Sequence, residues 1–183
     1  MPHAILDACC FINLYATGDL RGFLSGTAWT WHIPTAALAE SLYIRRPTDA
    51  DEEHREQINA EPYIDAEFLS VATIDGKDET AAFVRLATEL ADGEAMALAI
   101  ASVRGWTVAT DDRKARRIAG GLAVPVVTTP ELVQRWAKSS RMGRRKLRAL
   151  LASIQSSARF APGPNAPGHD WWMAAIRDDV SGA

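Results

Sequence analysis

Short apolar segments alternate with helical patterns along the first 130 residues of the chain. Each apolar segment has the length and composition of a buried strand. They are residues 3–6, 29–33, 68–74, 106–110 and 123–128. Because parallel strands need long crossover connections, usually helices, this order predicts an α/β sandwich around a mostly parallel central sheet. Pro125 cannot donate a ladder hydrogen bond, so we expect the last strand at a sheet edge.

Charged residues are unevenly distributed along the chain. Residues 1–131 carry 20 acidic and 11 basic side chains, a net charge of −9. Residues 132–183 carry 3 acidic and 9 basic side chains, a net charge of +6, within an overall charge of −3. The basic residues could hold nucleic-acid phosphates or form a solvated helix face, and the sequence leaves both interpretations open.

The amino-acid composition of three segments predicts their local structure. The densely charged residues 45–61 predict a loop or a solvated helix, which could serve as a lid. Residues 144–156 predict a basic helix, and the Pro- and Gly-rich residues 161–168 are typical of a linker. Trp171 and Trp172 beyond it could stack on nucleic-acid bases, but we favour their covering an apolar surface of the body or of a second copy.

Several classes of protein and site have no support. No segment reaches the roughly 18 uninterrupted apolar residues of a membrane span, and no basic region precedes the apolar N-terminus. Cys9 and Cys10 are neighbours, which argues against a disulfide, and packing explains them better than a nucleophilic role. We therefore expect a cytoplasmic protein without a membrane partner. Glycine-rich nucleotide loops, a serine elbow and Cys/His zinc spacings are all missing.

Acidic residues follow several predicted strands or open the helices after them. They are Asp7, Glu40, Glu94, Asp111 and Asp112. The carboxyl ends of parallel strands meet at one edge of a sheet, so these side chains are expected to converge. Clustered carboxylates repel one another and need a compensating cation. Hard oxygen ligands select Mg²⁺ or Mn²⁺, which can activate water for phosphate hydrolysis.

Each acid also has a structural explanation. Glu40 could be an ordinary exposed helix residue, and Glu94 could favour a helix N-terminus through the helix dipole. Asp92, Asp111 or Asp112 could cap a helix. Asp7 is the hardest to explain this way, since it interrupts an apolar run. The joint pattern is therefore more specific than any single position.

Four segments in a fixed order resemble the PIN-domain family of metal-dependent ribonucleases, and among them bacterial VapC-type toxins. These segments are ILDACCFINLYATG, IPTAALAESL, ADGEAMALAIA and VATDDRKARRIA. They span about residues 4–130. The resemblance implies a three-layer α/β/α sandwich, an acidic pocket for Mg²⁺ or Mn²⁺ and endonucleolytic cleavage of RNA.

The resemblance also implies roles for individual residues. Asp7, Glu40 and Glu94 match the first three acids of the family. The fourth lies in a Thr-x-Asp stretch, which Asp112 satisfies, while Asp111 remains an alternative metal ligand. Thr110 matches an auxiliary hydroxyl near the pocket. The bases beside it, which could grip a substrate backbone, are Arg113, Lys114, Arg116 and Arg117.

Two positions depart from the family pattern. Cys9 stands where the family often has Ser or Thr, and Met96 stands where some relatives carry another Glu. Both changes remove a polar group and would weaken the metal site. They leave a non-catalytic PIN-fold binding module as an alternative, beside a DNA-directed nuclease of related mechanism.

The resemblance further suggests partners and a division of the chain. We expect an RNA substrate, a cognate antitoxin protein and a homodimer. Residues 1–130 would form the catalytic domain, residues 131–158 a basic helical extension, and residues 159–183 a linker and tail.

Overall fold

The computed structural model describes residues 1–40, 43–46 and 54–177. Its strands are β1 (His3–Leu6), β2 (Thr30–Pro34), β3 (Tyr43–Arg46), β4 (His54–Gln57), β5 (Leu69–Ala72), β6 (Thr107–Ala109) and β7 (Val126–Val127). Its helices are α1 (Ala8–Tyr15), α2 (Leu20–Gly26), α3 (Thr35–Glu40), α4 (Glu61–Asp65), α5 (Gly76–Leu86), α6 (Asp92–Arg104), α7 (Arg113–Gly121), α8 (Thr129–Ser139), α9 (Arg144–Ser153) and α10 (His169–Ile176). A π-helical turn, Ile154–Ala158, follows α9.

Five parallel strands form the central sheet in the order β5-β2-β1-β6-β7. The first strand therefore lies at the centre, and β7, which follows Pro125, lies at an edge as expected. Leu6 pairs with Ala109, which brings the residues after β1 and after β6 side by side. The carboxyl ends of all five strands lie at the same edge of the sheet, which is where the sequence predicts that the acids meet.

Two buried clusters cover opposite faces of the sheet. On one face, Phe11 of α1 and Trp136 of α8 belong to a cluster that includes Trp31. On the other face, α6 contributes Leu98 and Ile100. Helices thus lie on both sides of the sheet, and the predicted three-layer α/β/α sandwich is confirmed.

The charged region after α3 differs from the sequence prediction. We expected a loop or a solvated helix over residues 45–61, but β3 and β4 pair as an antiparallel ribbon. Ile44 is buried, while the guanidinium of Arg55 lies 4.7 Å from the ring centre of Tyr43. One inward apolar residue and cross-strand contacts are enough to favour pairing. Residues 47–53, which the lid hypothesis also includes, lie outside the described residues.

The C-terminal helices pack on the same core as the rest of the chain. Trp136, Leu151 and Trp172 are at most 2 % exposed and belong to the cluster around α1 and β2. Trp172 therefore covers the body, as the sequence favoured, and cannot stack on a nucleic-acid base. The division of the chain at residues 130 and 158 stays a prediction. In the described part of the chain, no helix is long and apolar enough to cross a membrane.

A stack of rings lies at the opposite edge of the sheet from the acids. The rings of His32 and Trp106 are 4.1 Å apart, and His3 Nδ1 lies 2.9 Å from His32 Nε2. Burial, followed by the charges of His3 and Arg104, lowers the pKa of His32 to about 4. The folded chain therefore keeps His32 neutral at pH values where an unfolded chain protonates it.

We expect this histidine to make stability depend on pH. Since its folded pKa is about 4 and its ordinary value is 6.5, His32 favours unfolding increasingly as the pH falls from 6.5 to 4. Chemical denaturation across this window should show a shallower loss of stability in His32→Gln than in the parent. His54→Gln, on the exposed β4, is the control. Parallel curves for His32→Gln and the parent would contradict this prediction.

Candidate active site

Asp7 lies at the carboxyl end of the central strand and is 1 % exposed. Its backbone N–H donates to the carbonyl of Ala109 at 3.0 Å, which extends the β1–β6 pairing by one residue. Its Oδ1 accepts the backbone N–H of Cys10 at 2.7 Å and so caps α1. Its Oδ2 is buried, and no described residue donates a hydrogen bond to it. The fold therefore holds Asp7 rigidly and leaves one oxygen without a partner.

Burial raises the pKa of Asp7 to about 7, and the charge of Asp111 adds to the rise. The neighbouring Thr110 hydroxyl partly opposes this rise in the pKa of Asp7, although it forms no hydrogen bond of standard geometry with Oδ2. An ionised carboxylate in such a place is costly unless a positive charge faces it. Asp7 is thus either neutral or paired with a cation that the described side chains do not provide.

Asp111 is also enclosed, but both of its oxygens have protein partners. Its Oδ1 accepts the backbone N–H of Thr129 at 2.9 Å. Its Oδ2 accepts the Thr129 hydroxyl, the Asn13 side-chain amide at 3.0 Å and the Cys10 thiol at 3.4 Å. Burial raises the pKa of Asp111, and these hydrogen bonds oppose the rise. Asp111 therefore ties the loop after β6 to α1 and α8.

Asp112 occupies a more open position beside it. Its Oδ1 accepts the backbone N–H of Ala115 at 2.7 Å and caps α7. Its own N–H donates to the hydroxyl of Thr110 at 3.1 Å. Of the two neighbouring acids, Asp112 has the fewer protein partners and so more capacity to bind something else.

The two glutamates meet where α3 and α6 pack together. The Gly93 N–H donates to Glu40 Oε1 at 2.8 Å, and a Cβ atom at position 93 would lie 2.8 Å from Oε2. Gly93 thus makes room for the carboxylate. Partial burial, and then the charge of Asp112, raises the pKa of Glu94, and Glu40 adds to this effect. Glu94 is therefore within electrostatic reach of both acids.

Cys9 lies among these acids. Partial enclosure, and then the charges of Asp7, Glu94, Asp111 and Asp112, raise the pKa of its thiol to about 12. The thiol therefore stays protonated at neutral pH and is a poor nucleophile. Its electrostatic contacts also indicate that acids from three separate segments surround one position.

The structure thus places Asp7, Glu94, Asp111 and Asp112 within electrostatic reach of Cys9, and Glu40 within reach of Glu94. The sequence did not indicate Asn13, Gly93 or Thr129, which position these acids. Asn13 is the one polar side chain buried along the inner part of α1, and such a residue is a usable signal.

A divalent ion fits the chemistry of these residues, although the acids do not already form a closed cage. No three His, Cys, Asp or Glu side chains within the described ranges are arranged to hold a metal as they stand. The donors are nevertheless carboxylate oxygens, which suit Mg²⁺ or Mn²⁺. The unpartnered Oδ2 of Asp7 is the observation that calls for a cation.

The bases on α7 have different surroundings. Arg113 and Arg116 line a cleft beside Asp111. Lys114 donates to the carbonyl of Glu89 and lies 4.0 Å from its carboxylate, so it is engaged on the protein surface. Arg117 is exposed and lies outside this cleft. Arg113 and Arg116 therefore lie beside Asp111, while Lys114 lies within electrostatic reach of Glu94.

Comparison with known proteins identifies the family. A family model described as a PIN domain matches residues 3–163. The chain belongs to the PIN-domain family. The PIN domain is in general a nuclease fold, and the match covers both the acidic site and helices α8 and α9. No curated protein matches the chain.

The buried charge of Asp7 generates a stability prediction for this PIN domain. At pH 8 in EDTA, Asp7→Asn should raise the free energy of unfolding by about 1–3 kcal/mol, because it removes a buried charge with an unpartnered oxygen. Mn²⁺ should raise the melting temperature of the parent, since an ion that binds only the folded state stabilises it.

The same titration should leave Asp7→Asn almost unchanged, while Asp65→Asn on the exposed end of α4 should behave as the parent. Thermal unfolding with and without Mn²⁺ measures both effects. An Asp7→Asn protein that is less stable, yet gains as much from Mn²⁺ as the parent, would refute this account.

Proposed function

We propose that this PIN domain is a metal-dependent endoribonuclease. The observation that carries the proposal is the buried Asp7 carboxylate with its unpartnered Oδ2, in electrostatic contact with Asp111. Mg²⁺ or Mn²⁺, when bound, would activate water and stabilise charge that develops on the phosphate. Asp7, Glu94 and Asp112 would hold the ion.

The other residues of the site position these ligands. Gly93 fixes Glu40 beside Glu94, and the Thr110 hydroxyl accepts the N–H of Asp112. Asp111, with both oxygens engaged, keeps the start of α7 against α1 and α8. Hydrolysis would join a water oxygen to phosphorus and break the bond from phosphorus to O3′. The products would be a 5′-phosphate and a 3′-hydroxyl end.

The preference for RNA and the biological role are also part of the proposal. The resemblance to VapC-type toxins supports an RNA substrate and an antitoxin partner, and a homodimer is expected on the same ground. A small adjacent gene that encodes a DNA-binding protein would support the toxin role. Growth arrest on expression, relieved by that neighbour, would test it directly.

A non-catalytic binding module is the second candidate. It is favoured by the acids not forming a closed metal cage in the described part of the chain, and by Cys9 and Met96 in place of more polar residues. Such a module would bind RNA or a basic partner without cutting it. Cleavage of a DNA strand in preference to RNA would instead favour the third alternative, a DNA-directed nuclease.

The principal test compares RNA cleavage by the parent and Asp7→Asn. With Mn²⁺ and a structured RNA, the parent should cut, and Asp7→Asn should be at least 100-fold slower, by analogy with the loss of one preorganised electrostatic group. Asp65→Asn is the matched control and should retain activity. Equal cleavage by Asp7→Asn and the parent would remove the acidic site from the reaction.

A second test separates the neighbouring acids Asp111 and Asp112. Asp112→Asn should lose at least 100-fold in cleavage rate with little loss of stability, because its Oδ1 cap can be kept by the amide oxygen. Asp111→Asn should lose about 2–3 kcal/mol of stability, since charge-assisted hydrogen bonds from Asn13 and Thr129 are weakened.

Denaturant unfolding and single-turnover cleavage of the two variants would measure this split. The reverse pattern, with Asp111→Asn stable but inactive and Asp112→Asn active, would assign the ligand role to Asp111.

A further inference from the structure

Two histidine side chains meet on the sheet, at the edge opposite the acids. His3 lies on β1 and His32 on β2, and the strand register pairs His3 with Thr30 and His32 with Ile5. Because residues two apart on a strand share a face, both histidines lie on the same face of the sheet as diagonal neighbours. The fold therefore brings together two imidazoles that are 29 residues apart in the chain.

The two imidazole rings meet edge to edge. Their centres are 5.1 Å apart and their planes differ by 26°, while His3 Nδ1 lies only 2.9 Å from His32 Nε2. Two nitrogen ligands of one tetrahedral ion, each about 2.0–2.1 Å from it, lie about 3.3–3.4 Å from each other. The two nitrogens thus need to separate by only about half an ångström to share an ion. His3 is exposed, so its ring can turn until both lone pairs meet at one position.

Trp106 orients both rings. Its ring centre lies 4.1 Å from that of His32, with planes 20° apart, and 5.1 Å from that of His3, with planes 12° apart. A metal ion binds imidazole through a nitrogen lone pair, which lies in the plane of the ring. The indole therefore fixes the orientation of the imidazoles and leaves the facing nitrogens uncovered, as a preformed metal site requires.

The surroundings of His32 keep it in the form that binds metals. Burial, followed by the charges of His3 and Arg104, lowers its pKa to about 4, so its ring is neutral at neutral pH. The guanidinium of Arg104 would repel a cation, but it is paired with Glu79. Its Nε donates to Oε1 at 2.6 Å and its Nη2 donates to Oε2 at 2.8 Å. The carboxylate thus offsets the positive charge nearest to the two rings.

We propose that His3 Nδ1 and His32 Nε2 form a site for a divalent transition-metal ion of the Zn²⁺ class. Imidazole nitrogen suits Zn²⁺, whereas Mg²⁺ prefers oxygen ligands, so the selectivity of this site differs from that of the acids. No third His, Cys, Asp or Glu of the described ranges joins the pair, so water completes the coordination.

Binding at this site conserves protons when both rings start neutral. A neutral imidazole carries one N–H and one lone pair. The ring whose N–H lies between the two nitrogens moves that proton to its other nitrogen, and both lone pairs then bind the ion. The ion would link β1 to β2, and the proposal goes beyond the nuclease function without depending on it.

The first test measures Zn²⁺ binding by isothermal titration calorimetry. Asp7→Asn in excess Mg²⁺ is the starting protein, so that the acidic site contributes little. In it, His3→Gln and His32→Gln should each weaken Zn²⁺ affinity by roughly tenfold or more, since even residues that only support a metal ligand contribute this much. His54→Gln, on the exposed β4, is the matched control and should bind Zn²⁺ as the starting protein does. Equal affinity in all three histidine variants would overturn the proposal.

A second test locates the ion in the chain with all its histidines present, so it does not depend on how a variant folds. In nitrogen-15 NMR spectra of the imidazoles, Zn²⁺ should shift His3 Nδ1 and His32 Nε2 together. His54 and His169 should stay unchanged, and Nδ1 of His169 already lies 3.0 Å from the carbonyl of Pro162. Shifts confined to one ring of the pair, or to neither, would refute a shared site.

The third test uses stability. The two ligands lie on different strands, so Zn²⁺ should bind the folded chain in preference and raise the melting temperature of Asp7→Asn. His3→Gln, at an exposed position, should fold normally and lose this gain, and Mg²⁺ alone should produce none. A gain from Zn²⁺ that persists unchanged in His3→Gln would place the stabilising ion elsewhere and contradict the site. None of these measurements involves cleavage, so their failure leaves the proposed nuclease function untouched.

Discussion

The buried carboxylate of Asp7 is the constraint on which the rest of the site depends. It terminates the central strand of the sheet, where β1 has a neighbour on each side and solvent is excluded. One oxygen caps α1, and the other has no partner among the described residues. A protein keeps such a cost where the group has a function that a satisfied residue could not perform. Either a proton on this oxygen or a cation bound beside it can neutralise the buried charge of Asp7.

The acids around Asp7 divide into two kinds by their hydrogen bonds. Asp111 accepts hydrogen bonds from Asn13 of α1 and Thr129 of α8, and these bonds hold the loop after β6 in place. Asp112, only one residue further on, caps α7 and keeps more of its carboxylate available. The contrast between them follows from their partners, because the donors to Asp111 come from α1 and α8 and the donor to Asp112 comes from its own helix. In this doublet of acids, the protein thus engages both oxygens of Asp111 and leaves Asp112 with fewer partners.

Much of this arrangement was predictable because it follows from local pattern. Asp7 interrupts an apolar strand, and parallel strands end at one edge, so the meeting of Asp7 with the Asp111–Asp112 doublet needs no further information. The contacts that the sequence did not reveal are long-range. Asn13 and Thr129 are 116 residues apart, and their roles depend on how α8 packs against α1. The ribbon of β3 and β4 was missed for a related reason, since its many charges hide a single buried Ile44.

The C-terminal segment shows how composition can mislead about the state of a chain. A segment rich in proline and glycine forms neither helix nor strand. Its sequence alone does not tell whether this irregular structure is rigid or flexible. Here a helix beyond the segment buries Trp172 in the core, and Gly168 meets Pro130 at van der Waals limits, so both ends of residues 160–167 are fixed. Because residues 160–167 are stiff and fixed at both ends, they form a defined surface. It lines one side of a cleft whose other side is the start of α7, with Arg113 and Arg116. The carboxyl ends of the strands thus provide the acids, and the chain beyond the sheet encloses the cleft beside Asp111.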